Sequence, residues 1–195
     1  MKKTGLYFGS FNPIHIGHLM IAEYVLEHSD LDDLWFVISP SNPLKKKEHL
    51  LDEKQRYYMV NIAIEDDARF KACDVEFKLP YPSYTCVTLA KLTEIYPERT
   101  FVVILGEDNI ENIERWKNYE YILDNFQIYV YPRPGHGGSK FLSHPHVKLV
   151  PAPLIEISST MIRDSINSNK RVSYFLPPKV EQYIEDMGVY KFSKK

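Results

Sequence analysis

Short, mainly apolar runs alternate along this chain with longer stretches whose apolar residues recur every three or four positions. The runs are "GLYFG", "LWFVIS", "RFKAC", "TFVVILG", "FQIYVYP" and "VKLVP"; the longer stretches cover 17–29, 52–65, 84–96, 109–124, 159–168 and 178–187. Short apolar runs read as strands and the longer periodic ones as helices. Strands that are apolar throughout are buried on both faces, and strand–helix alternation builds crossover units. The pattern predicts an α/β fold, a Rossmann-like doubly wound parallel sheet with helices on both faces. One domain is expected over 1–195, with a helical C-terminal part from about 159. In such sheets ligands bind beyond the carboxyl ends of the strands, where the strand order reverses.

Three connections are long: 40–53, 73–85 and 131–146. The last is rich in Pro and Gly and reads as a mobile surface excursion, and the final "KFSKK" as a frayed tail. Composition changes little in this picture. Of 195 residues, 44% are hydrophobic, 26% charged and 13% aromatic, enough for a buried core. A net charge of -2 supplies no field for holding a long polyanion, so nucleic acid is not expected as a ligand. Cys73 and Cys86 show neither metal-ligand spacing nor the density of a disulfide scaffold. "SFNP" breaks the first apolar run too early for a secretory leader, and no run approaches a membrane span. The expectation is a cytoplasmic protein with free thiols; a homo-oligomer is left open.

"YFGSFNPIHIGH" follows the first strand. Gly9 and Ser10 allow close backbone approach, Pro13 stiffens the turn, and Gly17 opens the helix without a side chain in the way. Free N–H groups at that helix start suit an anion. His15 and His18, three apart, share a helix face and can donate hydrogen bonds to phosphate oxygens. The plainer alternative is a helix cap and a satisfied core histidine. Near the other end, "IEISSTMIRDSI" reads as a strand turning into a helix at Ser158, Ser159 and Thr160. These are natural cap residues, and with freed amides they make a second anion seat, beside which Arg163 shares a face with Ser159 and Thr160. The alternative there is an ordinary capped helix with a surface arginine.

"GSFNPIHIGH" with "ISSTMIR" resembles the nucleotidylyltransferase superfamily, which pairs an H-x-G-H element with an I-S-S-T-x-x-R element to bind ATP. The letters "HIGH" also occur in class I aminoacyl-tRNA synthetases, but no KMSKS-like segment is present. "SYTCVTLAKL", "ILGEDNIENIERWKNYEYIL" and "RYYMVNIA" resemble the bacterial nicotinate mononucleotide adenylyltransferases, over nearly the full chain and in that family's order. An exposed indole at Trp116 would offer a flat face to a pyridine ring, though a core tryptophan is the alternative. The amides beginning the "SYT" helix would favour a carboxylate over a carboxamide, and so nicotinate over nicotinamide.

The resemblance implies ATP binding by Gly9, Ser10, Phe11, Gly17, Gly106, Ser158, Ser159 and Thr160. It implies binding of the nicotinate nucleotide by Asn12, Thr85, Asp108, Trp116 and Tyr119, with a helix cap as the alternative for Asp108. His18 would contact the transition state, while His15, Lys45 and Arg163 share the triphosphate. Two positions depart from the family pattern: Asn12 replaces an aspartate and Leu44 replaces the histidine of a P-P-H-K element, leaving Lys45 as the matching lysine or as solvated surface. The implied reaction is attack of a 5'-phosphate on the α-phosphorus of ATP, with Mg²⁺ held mainly by the phosphates and no protein metal site. Phosphopantetheine adenylyltransferase and a non-catalytic nucleotide sensor are the alternatives; the first lacks the S-Y-T and Trp elements.

Overall fold

The computed structural model describes residues 1–40 and 50–191. Six strands form one sheet: β1 (Lys2–Gly9), β2 (Asp33–Ile38), β3 (Phe70–Cys73), β4 (Arg99–Gly106), β5 (Gln127–Tyr131) and β6 (Val147–Leu149). Every neighbouring pair is parallel, and the order is β3-β2-β1-β4-β5-β6, so the direction of winding reverses between β1 and β4.

The strands are mainly apolar because both faces are covered. Along β4, Val102 and Ile104 face one core and Phe101, Val103 and Leu105 the other, the two-residue alternation of a strand. The first face carries α1 (Ile16–Glu27), α2 (Glu53–Ile64), α6 (Ser159–Asn167) and α7 (Pro178–Met187). The second carries α3 (Thr85–Ile95), the single turn α4 (Glu107–Ile110) and α5 (Tyr119–Asn125). No helix among the described residues is long and apolar enough to cross a membrane.

Three expectations need correction. The stretch 109–124 is not one helix: α4 ends at Ile110, a 3-10 turn covers Ile113–Arg115, and Asn118 in the left-handed region (φ 52°) separates both from α5. Residues 155–157 form no strand; Ile155 instead packs on Gly17 at the start of α1. The 131–146 connection is tied down: His136 Nδ1 lies 2.6 Å and the Gly137 amide 3.1 Å from the Glu111 carboxylate, and Lys140 pairs with Glu114 at 2.8 Å.

Candidate active site

Two clefts open above the carboxyl ends of β1 and β4, at the reversal point. One of about 380 Å³ is lined by charged and imidazole groups, the other of about 360 Å³ by aromatic rings and the start of α3. They share Tyr7, Phe8, Gly9, Ser10, Asn109 and Tyr131, so they are two compartments of one site.

The first cleft grows from the turn after β1. At Gly9 a Cβ would fall 2.7 Å from the Phe11 ring, which folds back beneath the strand end. Phe11 itself has a positive φ of 45°, strained for a side chain of that size, and is held by a buried ring contacting Tyr7, Phe36 and His18. His15 is the N-cap position of α1 and is buried, yet its Nδ1 finds no hydrogen-bond partner among the described residues. The His18 ring stacks on it with centroids 3.7 Å apart, and the His15 amide donates to His18 Nδ1 at 3.3 Å. Burial first, and the nearby Arg133 second, bring the His15 pKa down to about 4. It therefore meets a ligand as a neutral imidazole, which can donate to phosphate from one nitrogen only.

The second motif closes this cleft from the far end of the chain. Ser158 caps α6 by accepting from the Met161 amide at 3.2 Å; Ser159 Oγ donates to the Pro13 carbonyl at 2.9 Å. Arg163 donates to the Asn12 carbonyl at 2.7 Å and to Thr160 Oγ1 at 3.2 Å. All three hydroxyls thus have protein partners, and what α6 offers an anion is its amide end and the guanidinium. The Asn12 side chain is buried, with Oδ1 accepting from Tyr190 at 2.9 Å and from the Leu51 amide at 3.3 Å. It anchors the turn.

At the end of β4, a Cβ on Gly106 would fall 2.4 Å from Asp108 Oδ1. Asp108 is not a cap: it is the second residue of α4, and its Oδ1 is buried without a hydrogen-bond partner among the described residues, 3.5 Å from Arg133 Nε. Arg133, just after β5, lines the polar cleft as its second arginine and was not foreseen from the sequence. Its signal was position, in the loop directly after a strand.

In the second cleft, Thr85 opens α3 and Trp116 is half-buried, one side on the second core and the other lining the cavity. Arg115 and Lys117 flank the indole, with Lys117 Nζ 4.6 Å from the centroid of the Tyr84 ring. Beneath them Glu76 is buried and accepts from Ser83 Oγ and Thr88 Oγ1, each at 2.8 Å; burial pushes its pKa up against these hydrogen bonds. This clamp fixes the "SYT" turn and was not foreseen. Tyr119 begins α5 and contacts Phe141, but it does not line either cleft. Lys45 lies outside the described residues.

Comparison with known proteins agrees with this geometry. The family described as cytidylyltransferase-like matches residues 6–165. A Flavobacterium psychrophilum protein named "Probable nicotinate-nucleotide adenylyltransferase" is 52% identical, covering 97% of this chain and 99% of its own length. A Bacteroides thetaiotaomicron protein of the same name is 47% identical over 94% of this chain and 91% of its own. Among solved structures, Plasmodium falciparum nicotinic acid mononucleotide adenylyltransferase complexed with NaAD superposes with a TM-score of 0.81 at 21% identity, covering 99% of both chains. The same enzyme complexed with APC gives 0.79, at 21% identity and the same coverage. With both end motifs gathered at one reversal point and relatives this similar over nearly full length, the chain belongs to the cytidylyltransferase-like nucleotidylyltransferases and, within them, to the nicotinate-nucleotide adenylyltransferases.

Proposed function

We infer that this chain transfers the adenylyl group of ATP to nicotinate mononucleotide, giving nicotinate adenine dinucleotide and pyrophosphate in NAD biosynthesis. The observation that carries this reading is the pair of clefts joined at Gly9, Ser10 and Tyr131: one suits a polyphosphate, the other an aromatic acid, and their seam is where the two would be linked.

The attacking 5'-phosphate is already an anion, so no general base is required. The protein's work is to align two negative reactants and stabilise charge on the transferring and departing phosphates. His18, at the mouth of α1, contacts the transferring phosphate; Arg163, Arg133 and the α6 amides hold the triphosphate, with Lys45 assigned there by family resemblance. Neutral His15 supports His18 from below. Trp116 stacks on the pyridine, while the start of α3 with Lys117 and Arg115 receives its carboxylate. Asp108, whose Oδ1 accepts no hydrogen bond among the described residues, would hold a water of a Mg²⁺ ion bound to the ATP phosphates, and that ion would supply charge neutralisation there. We place the activity in the cytoplasm, which the two buried, unpaired thiols suit.

The test is pyrophosphate release from ATP and Mg²⁺ with nicotinate mononucleotide, nicotinamide mononucleotide and phosphopantetheine in parallel. Strong preference for the nicotinate substrate is expected. Faster turnover with either of the others would overturn the assignment of the aromatic cleft.

A further inference from the structure

We propose that Tyr7 and Tyr131 form an additional phosphate-binding element: their paired hydroxyls share one hydrogen bond and donate the remaining proton to the phosphate bridge that crosses from one cleft to the other. This rests on the reaction proposed above and concerns residues outside both the H-x-G-H and the I-S-S-T-x-x-R elements.

The two rings meet edge to face, Tyr7 near the end of β1 and Tyr131 at the end of β5, only 4% and 7% exposed, with their hydroxyl oxygens 3.3 Å apart. Both residues line both clefts, which places them at the seam. Tyr7 meets the His18 ring edge-on at 6.2 Å between centroids. Tyr131 lies against Gly106, where an added Cβ would be 3.2 Å from Cζ. The pair therefore lies between the imidazole assigned to the transferring phosphate and the glycine that ends β4.

A pair of phenols holds two O–H donors, and the contact between them uses one. The second proton is left over, and no acceptor among the described residues takes it. A buried hydroxyl in that position wants an acceptor, and a phosphate oxygen at the seam is the one the reaction brings. Burial raises both phenol pKa values, so both groups stay protonated at neutral pH.

Sharing makes a signature. If one hydroxyl is removed, the other loses its mate but can still donate to phosphate. The experiment measures calorimetric affinity for nicotinate adenine dinucleotide, with melting temperature and turnover, for wild type, Tyr7→Phe, Tyr131→Phe and the double variant. Each single change is expected to weaken dinucleotide binding about twofold, and the double change about thirtyfold, as for a lost hydrogen bond to a charged acceptor. A double variant no weaker than the product of the singles overturns the proposal. So does a shift in melting temperature with affinity unchanged, the mark of a purely structural pair. Wild type that binds the dinucleotide without turning over nicotinate mononucleotide counts against the proposed reaction alone, since the affinity series still tests the hydroxyls. Failure of wild type to bind the dinucleotide removes both.

Discussion

Burial keeps the His15 imidazole neutral at the start of α1. In the unfolded chain His15 titrates at its ordinary 6.5, and in the folded one at about 4. Above 6.5 both states are neutral; between the two values only the unfolded chain takes up the proton. Stability is thus full above the higher value and falls as pH drops through this window, by roughly 3 kcal/mol at its lower end. His15→Gln removes that dependence. Between pH 7.5 and 4.5, urea unfolding should show wild type losing about 2 kcal/mol more stability than His15→Gln loses; an equal loss would contradict neutral burial. His18→Ala is expected to lower kcat by about a hundredfold or more. It also removes the acceptor for the His15 amide, so melting should fall by a few degrees, as for a lost cap of about 1 kcal/mol. More than a third of wild-type kcat would end its assigned role. The letters of the motif placed both rings on one face; their stacking and the silence of one nitrogen came only from what packs around them.

Helices α2 and α6 do not carry the chemistry but determine where the turn after β1 sits. Arg56 of α2 is wholly buried, has no carboxylate partner among the described residues, and donates to the carbonyls of Leu51 (2.8 Å), Ser39 (2.9 Å) and Pro40 (3.1 Å), as well as that of Ser10. It ties the ends of β1 and β2 together beneath the clefts. Arg56→Met leaves these carbonyls unpaired, and a loss of about 3 kcal/mol in denaturant unfolding is expected. A loss under 1 kcal/mol would mean that water replaces the guanidinium. The strands and the helices α1, α2, α3, α6 and α7 were legible in the sequence because their apolar periodicity is set by the faces they bury. The break within 109–124 was not, because it depends on one left-handed Asn118, and periodicity does not register a single backbone conformation. Nor were Arg56, Glu76 and Arg133, whose partners lie far away in sequence or are backbone atoms that no motif names.

At the scale of the whole molecule, the reversal between β1 and β4 sends the chain to opposite faces, and each cleft is finished by a different face. The polar cleft is closed by α1 and α6 of the first face, the aromatic one by α3 and the 113–117 turn of the second. A net charge of -2 supplies no general attraction for nucleotides, so affinity must come from these local groups. Because the groups belong to different layers, their effects should separate. Trp116→Ala removes the ring face from the aromatic cleft and should raise KM for nicotinate mononucleotide about tenfold, with KM for ATP within about twofold. Arg163→Lys should do the reverse, since an ammonium cannot hold the Asn12 carbonyl and still present a flat fork to phosphate. Steady-state kinetics with each substrate varied in turn checks both. Equal changes in the two KM values, for either substitution, would mean that the clefts act as one compartment and that the sheet's reversal does not divide recognition between its faces.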